Sequence, residues 1–194
     1  LDDRDAGLVC IGGDKLVLTW FTTDNRKGAS ERVAAMEDGD RARRWQAGLT
    51  PVTDAAVKRW AGAWMRYSGD AGQTWDKPQK VMLTTPHGPI RLRTGPLLFV
   101  GKYFVNMESF SGGEGLVTAM TSIDGGREWT LVGTLPLCPK TVENQYHEAH
   151  VCELLDGRLL ALVRVEDADG HPIGEAGVED FSMVQTFSED RGRT

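Results

Sequence analysis

Residues 67–75 read YSGDAGQTW, and the same pattern returns as TSIDGGREW at residues 121–129 and as FSEDRGRT at residues 187–194. The shared pattern is S-x-D-x-G-x-[T/E]-W, and the third copy stops before the tryptophan because Thr194 is the last residue. The aspartate of such a segment accepts hydrogen bonds from backbone N–H groups of a turn, and the glycine adopts positive φ without steric cost. The tryptophan is expected to pack beneath the turn as an apolar anchor. Three copies indicate an internal structural repeat.

We expect the residues shared by these three segments to stabilise turns and to take no part in catalysis. They are Ser68, Asp70, Gly72 and Trp75 in the first copy, Ser122, Asp124, Gly126 and Trp129 in the second, and Ser188, Asp190 and Gly192 in the third.

A second repeat lies between these segments. Residues 8–18 read LVCIGGDKLVL and match VCELLDGRLLA at residues 151–161, and PIRLRTGPLLF at residues 89–99 is a looser copy. Each copy is an apolar run, a turn rich in Gly or Asp, and a second apolar run, which is typical of a β-hairpin. A hairpin followed by two strands around the repeated turn predicts a four-stranded antiparallel blade of an all-β propeller.

The repeats divide the chain into three predicted blades. Blade one covers residues 5–83, blade two covers 88–135, and an incomplete blade three covers 149–194. The polar residues 24–60 interrupt blade one, and we interpret them as an inserted loop with one or two short helices.

Composition excludes several classes of protein. The net charge of −6 argues against a nucleic-acid partner, because phosphate binding needs clustered Lys and Arg. No apolar run approaches the length of a membrane span. The three cysteines are too few for a disulfide scaffold and lack metal-ligand spacing, and Cys10 and Cys152 are expected to be buried free thiols within apolar runs.

The blade topology separates two ends of each blade. The repeated turns lie at one end, so the starts of the first strands and the ends of the second strands lie at the other. That second rim collects most of the ionisable candidates: Asp3, Arg4, Asp5, Asp24, His87, His147, Glu148, His150 and Arg164. Converging charged groups predict a concave binding site there.

The repeated turns, RDAGL at residues 4–8 and HEAHVCELLDGRLL at residues 147–160 resemble the sialidase (neuraminidase) superfamily of Asp-box, or BNR-repeat, propellers. The resemblance implies a six-bladed β-propeller, of which residues 1–194 supply about three blades. It also implies an exo-glycosidase that hydrolyses a terminal acidic sugar, sialic acid or a related one, without a cofactor. A secreted or periplasmic location fits the family, although the residues themselves leave the compartment undecided.

The resemblance assigns roles to four residues. Arg4 and Arg164 would bind the sugar carboxylate, since guanidinium groups match carboxylates bidentately. Glu148 would be the base that activates a tyrosine nucleophile, and Asp24 would be the general acid. The tyrosine and a third arginine would come from later blades, so residues 1–194 alone are expected to be inactive.

Several alternatives stay open at this stage. Glu31, Glu37, Asp38 and Asp40 compete with Asp24 for the role of acid, and Arg164 has Glu166 and Asp167 as structural partners. His87, His147 and His150 are possible rim residues; His147 and His150 are expected on opposite faces of one strand, which argues against a metal site. The alternative function is a non-catalytic Asp-box propeller that binds glycans or proteins. Self-association to close the propeller is a further possibility.

Overall fold

A computed structural model describes residues 1–103 and 115–194 of the chain. These described residues fold into three antiparallel sheets that follow one another along the sequence. The expectation of a mostly β protein is confirmed, and three helices lie between residues 26 and 60.

The first sheet has the strand order β1-β2-β3-β4. The strands are β1 (Asp2–Gly12), β2 (Lys15–Thr23), β3 (Gly62–Ser68) and β4 (Gln79–Val81). All neighbours pair antiparallel, as in the predicted blade.

In the second sheet the first edge strand is split into two pieces. Both β5 (Leu83–Thr84) and β6 (Ile90–Arg91) pair with β7 (Leu97–Tyr103), which is followed by β8 (Val117–Ser122) and β9 (Thr130–Thr134). The third sheet contains β10 (Tyr146–Glu153), β11 (Leu159–Val165) and β12 (Ser182–Ser188). A 3₁₀ turn at Glu143–Gln145 precedes β10, and another spans Ile173–Ala176.

The insertion between β2 and β3 contains three helices, one more than the upper limit of the prediction. They are α1 (Arg26–Ala34), α2 (Gly39–Leu49) and α3 (Asp54–Trp60). Asp38 accepts hydrogen bonds from two backbone amides at the start of α2, and Thr53 accepts one from Ala56 at the start of α3. The first backbone amides of any helix have no partner within that helix, and these two side chains supply one. Each N-cap therefore starts a new helix, and the insertion is divided there.

Strand pairing moves the predicted blade boundaries by a few residues. The first sheet begins at Asp2 instead of residue 5, and Leu83 belongs to the second sheet because it pairs with Tyr103. The third sheet begins at Tyr146 instead of residue 149. Residues 104–114 of the predicted second blade lie outside the described part of the chain.

The repeated S-x-D-x-G segments form three turns of the same geometry. In the first, Gly72 N donates to Ser68 Oγ at 2.8 Å and Thr74 N donates to Asp70 Oδ1 at 2.8 Å. The glycines Gly72, Gly126 and Gly192 have φ of 87°, 91° and 87°, a region that favours glycine. We call these three turns, at residues 68–75, 122–129 and 188–194, the box turns.

The tryptophans of the first two box turns act as the predicted anchors. The indole N–H of Trp75 donates to Gly72 O at 3.0 Å, and that of Trp129 donates to Gly126 O at 2.8 Å. The ring centroids of Trp129 and Phe99 are 5.6 Å apart, which ties the second box turn to the apolar core.

Two apolar layers hold the sheets together. Val17, Met65, Leu97, Phe99 and Met120 pack between the first and second sheets. A larger layer packs between the second and third sheets, and includes Leu98, Val100, Ala119, Val151, Leu159 and Val163. Each sheet therefore contributes one face to each neighbour, as stacked blades require.

The expectation that Cys10 and Cys152 are buried is wrong for both. Cys10 and Cys152 are exposed, while Cys138 is half-buried, and all three are free thiols. In β10, Val151 is buried and the next side chain points to the opposite face, because side chains alternate along a strand. An apolar run thus places only every second residue in the core.

The box aspartates predict acid-sensitive stability. Hydrogen bonds, the largest from the Thr74 hydroxyl to Asp70 and from the Thr194 amide to Asp190, lower the pKa of both carboxyls to about 2. Their stabilising contribution is therefore full above the unfolded pKa near 4 and is lost as the pH falls through about 2. The free energy of unfolding of the Asp70→Asn/Asp190→Asn variant should lie below that of the wild type at pH 6, and the gap should close towards pH 2.

Urea denaturation at a series of pH values measures this gap. Asp169→Asn replaces an exposed aspartate outside the box turns and is the matched control. A gap between wild type and the double variant that stays constant from pH 6 to pH 2 would contradict the prediction.

A close approach of the first and second sheets predicts a second effect. A Cβ atom added at Gly7 would meet Gly88 N at 2.4 Å and the backbone carbon of His87 at 2.5 Å. Backbone cannot yield as a side-chain end can, so Gly7→Ala should destabilise the protein by about 1–3 kcal/mol. Gly48→Ala in α2, where nothing lies within 4 Å, should be neutral or stabilising in the same urea titration. Equal effects of both substitutions would show that the sheets do not meet at Gly7.

Candidate functional site

The predicted rim residues meet at one cavity of about 430 Å³. Its walls include six of the nine rim candidates named from the sequence: Arg4, Asp5, Asp24, His147, Glu148 and Arg164. Phe21, Lys102 and Thr85 also line it. Side chains from all three sheets therefore converge, as the rim model requires.

The cavity lies at the strand ends remote from the box turns. In the first sheet Ser68 of the box turn pairs with Leu16, whereas Thr22 pairs with Gly62 at the other end of the same two strands. At about 3.3 Å per residue, these ends are roughly 20 Å apart. Structural turns and candidate site occupy opposite rims.

Two carboxylates of the cavity sit on matching backbone irregularities. The β1–β2 register shifts between Arg4 and Gly7, and the β10–β11 register shifts between His147 and His150. Within these bulges Asp5 has φ of 56° and Glu148 has φ of 50°. Positive φ is uncommon outside glycine, and such strain is concentrated at functional sites, where a bulge re-aims a side chain.

The hydroxyl groups of two threonines donate hydrogen bonds to the backbone of the two bulges. Buried Thr85 donates to Ala149 O at 2.5 Å, next to Glu148, and buried Thr19 donates to Gly7 O at 3.4 Å. Thr85 directly follows β5 of the second sheet, so that sheet helps to fix the backbone that carries Glu148.

Arg164 lies between two carboxylates. Its Nη2 is 3.2 Å from Glu148 Oε1 and its Nη1 is 3.0 Å from Glu166 Oε2, and the guanidinium carbon lies 4.9 Å from the ring centroid of Phe181. Within residues 1–103 and 115–194, its buried Nε has no hydrogen-bond partner. The expected pairing with Glu166 is present, and Arg164 also contacts Glu148, the candidate base.

Arg4 is held more loosely. Its Nε lies 3.6 Å from Asp2 Oδ2, and its side chain is 53% exposed. An exposed ion pair of this kind contributes little stability. Arg4 can therefore reorient towards a ligand at small cost.

Asp24 is bound as a carboxylate by its neighbour. Its oxygens accept hydrogen bonds from Arg26 at 2.7–3.1 Å, and Arg26 also pairs with Asp54 at the start of α3. The hydrogen bond from Arg26 is the main reason that the pKa of Asp24 is lowered. A general acid must hold its proton near the working pH, so this environment suits a structural link to the insertion better than the expected acid.

The three candidate histidines form two groups. His147 lines the cavity with its Nε2 3.4 Å from Glu166 Oε1, and its pKa is lowered by burial and by the charges of Lys102 and Arg164. His87 and His150 instead contact each other, with ring centroids 4.9 Å apart. Neither of these two is among the residues that line the cavity in the described part of the chain.

The expectation that His147 and His150 lie on opposite faces of β10 is wrong. His147 pairs with Arg164 and His150 pairs with Leu162, two residues apart on β11, so both lie on the same side of the sheet. The bulge at Glu148 adds one residue and reverses the alternation. For the described residues, no cluster of three or more His, Cys, Asp or Glu has an arrangement that could hold a metal ion.

Sequence reasoning left Lys102 and Phe21 out of the site. Extending the aligned hairpin repeats by a few residues would have placed both at the position of Arg164, because Leu16, Leu97 and Leu159 are equivalent in that alignment. No helix in the described ranges is long and apolar enough to span a bilayer.

Comparison with known proteins identifies the fold. No protein-family model and no characterised protein sequence matches the chain. Among solved structures, a protein of unknown function from Dyadobacter fermentans matches with a TM-score of 0.59 at 15% identity, covering 99% of this chain and 49% of its own. The α-L-arabinofuranosidase of Fusarium graminearum solved with arabinobiose matches with a TM-score of 0.56 at 14% identity, covering 97% and 45%.

A Hadza microbial sialidase matches with a TM-score of 0.53 at 16% identity, covering 99% of this chain and 32% of that one. The chain thus spans less than half the length of each of these three structures. Identities at this level establish a common fold, and activity does not follow from fold. The resemblance seen in the sequence is confirmed at this level: the chain has the fold of the β-propeller glycosidases that include sialidases and arabinofuranosidases.

Proposed function

We propose that this chain carries part of the active site of an exo-glycosidase that hydrolyses a terminal acidic sugar, sialic acid or a related one. The main support is Glu148, which is presented to the cavity by a left-handed bulge and lies 3.2 Å from Arg164. The glycosidase fold of the structural neighbours adds to this support.

The proposed roles follow the chemistry of glycoside hydrolysis. Glu148 acts as the base for the nucleophile, since its ion pair with Arg164 suits an ionised carboxylate. Arg4 and Arg164 bind the carboxylate of the sugar. When such a ligand enters, its carboxylate shares Arg164 with Glu148 and Glu166, and the buried Nε of Arg164 offers a further N–H group.

Asp5 is the better candidate for the general acid. It lies on the same kind of bulge as Glu148 and lines the same cavity. Asp24 also lines the cavity, but Arg26 holds its carboxyl in the charged form.

The complete site in this proposal needs the rest of a six-bladed ring. A tyrosine nucleophile and a third arginine would come from the remaining blades, as in the sialidase pattern. No cofactor is needed, because the proposed chemistry is proton transfer and displacement at a sugar carbon.

A non-catalytic propeller that binds glycans or proteins is the second candidate. One observation favours it: both terminal nitrogens of Arg164 are already engaged by carboxylates, as expected for a structural ion-pair network.

The first test is substitution of the candidate base. Glu148→Gln in the full-length protein should lower kcat at least 100-fold on a fluorogenic sialoside or glucuronide, because general-base assistance contributes about 10²–10⁴ in rate. Glu189→Gln, an exposed position in a box turn at the opposite rim, is the matched control. Turnover that survives Glu148→Gln would refute the assignment. Glycan binding by a wild type that hydrolyses no sialoside, glucuronide or arabinofuranoside would favour the non-catalytic candidate.

The identity of the acid is tested by a second pair of substitutions. Asp5→Asn should reduce kcat about 100-fold or more. Asp24→Asn should leave kcat within a few-fold of wild type while lowering the melting temperature, because it breaks the link through Arg26 to α3. The opposite pattern would restore Asp24 as the acid.

A further inference from the structure

The three sheets present equivalent positions to the cavity. In each sheet, the serine of the box turn pairs with a leucine near the start of the second strand: Ser68 with Leu16, Ser122 with Leu97, and Ser188 with Leu159. The residue five positions after that leucine is Phe21, Lys102 or Arg164. All three line the same cavity. The repeat therefore places three equivalent side chains at the cavity, one of them apolar and two of them cationic.

Strand alternation gives these positions a common direction. Lys102 shares its face of β7 with Leu98 and Val100, which pack towards the third sheet. Phe21 shares its face of β2 with Val17, which packs towards the second sheet. Phe21 and Lys102 thus each point towards the following sheet, at the end of the strand where the cavity opens.

Lys102 occupies an unusual place for a cation. Its residue is 4% exposed, and its Nζ donates to Glu143 O at 2.8 Å. Burying an ammonium group is costly, and a buried apolar residue is often at least as stabilising at such a site. The ammonium group nevertheless belongs to a side chain in the wall of the cavity, where a ligand of opposite charge can reach it.

The groups around Lys102 define its protonation. Burial lowers the pKa of Lys102 to about 8, and Glu143 and Glu166 oppose this decrease. The other titratable or charged groups that face it across the cavity are Arg4, Asp5, Asp24, His147, Glu148 and Arg164. At pH 7 the lysine is still mainly a cation, and it loses its charge over the next two pH units.

We propose that Lys102 is a specificity-determining residue that binds the anionic group of the sugar together with Arg164, while Phe21 contacts the apolar face of the ring. The proposal rests on the proposed glycosidase function and adds an orientation to it. The carboxylate of the ligand faces the second and third sheets, and the less polar side of the ring faces the first. Phe21 suits this role because aromatic side chains supply apolar contact area.

Binding to the wild type and to Lys102→Met tests the proposal. The probes are free N-acetylneuraminic acid, glucuronic acid and uncharged methyl arabinofuranoside, titrated by isothermal calorimetry against the full-length protein. Lys102→Met should weaken binding of the two acids about 10- to 100-fold, as expected for loss of a charge-assisted hydrogen bond, and leave the neutral probe unchanged. Lys102→Arg should retain binding of the acids.

Two controls separate ligand contact from folding. Lys80→Met removes a lysine that lies over Trp64 outside the cavity, and should not change binding of the acids. Thermal unfolding should show that Lys102→Met is folded, because a methionine has a similar volume and removes a buried charge.

The pH dependence provides an independent readout. Affinity of the wild type for the acids should fall between pH 7 and pH 9 as Lys102 loses its proton, and the Lys102→Arg variant should not show this fall. Equal affinity of wild type and folded Lys102→Met for the acids would overturn the role of Lys102, while the effect of Glu148→Gln on hydrolysis would still stand. A wild type that hydrolyses none of the glycosides and binds none of the three probes would overturn the proposed function itself.

Discussion

The register between the second and third strands of each sheet is the constraint on which the rest depends. The box turn fixes this register, because the serine and aspartate bind the backbone amides of a turn that cannot slip along the strand. A slip of one residue would move every side chain to the other face of its sheet. With the register fixed, the number of residues from the box serine decides which side chains reach the opposite rim.

The candidate site lies where regular strand pairing fails. The first strand of the first sheet and that of the third sheet each contain a bulge, and the first strand of the second sheet is interrupted between Thr84 and Ile90. Regular pairing would point alternate side chains into the layers between sheets. The irregularities release Asp5 and Glu148 from that alternation, and the hydroxyl of Thr85 keeps the neighbouring backbone of β10 in place. The energy stored in two left-handed acidic residues is offset by the apolar layers on either side of the second sheet.

Charge organises the cavity as well as shape does. Arg4, Lys102 and Arg164 face Asp5, Asp24 and Glu148 in one polar space, and Arg26 ties Asp24 to the insertion from outside. The cations come from all three sheets, so no single sheet supplies the charge of the cavity by itself. In the proposed function, the carboxylate of the ligand competes with the protein's own carboxylates for these cations, and a neutral sugar lacks the charge to do so.

Local turn chemistry and period-two alternation were enough to predict the repeated turns, the hairpins and the all-β class. The same reasoning placed six of the cavity residues at one rim: Arg4, Asp5, Asp24, His147, Glu148 and Arg164. Three other features could not be predicted in this way. The number of helices in the insertion depended on N-capping, and the exposure of Cys10 and Cys152 depended on which face of each strand meets a neighbouring sheet. The common face of His147 and His150 depended on a bulge that no local sequence pattern indicates. Only the tertiary structure showed that Arg26 links Asp24 to Asp54 of α3 and that Lys102 is buried at the cavity. Those facts arise from contacts between segments that are distant in sequence, and strand periodicity carries no information about which side chains meet across such segments.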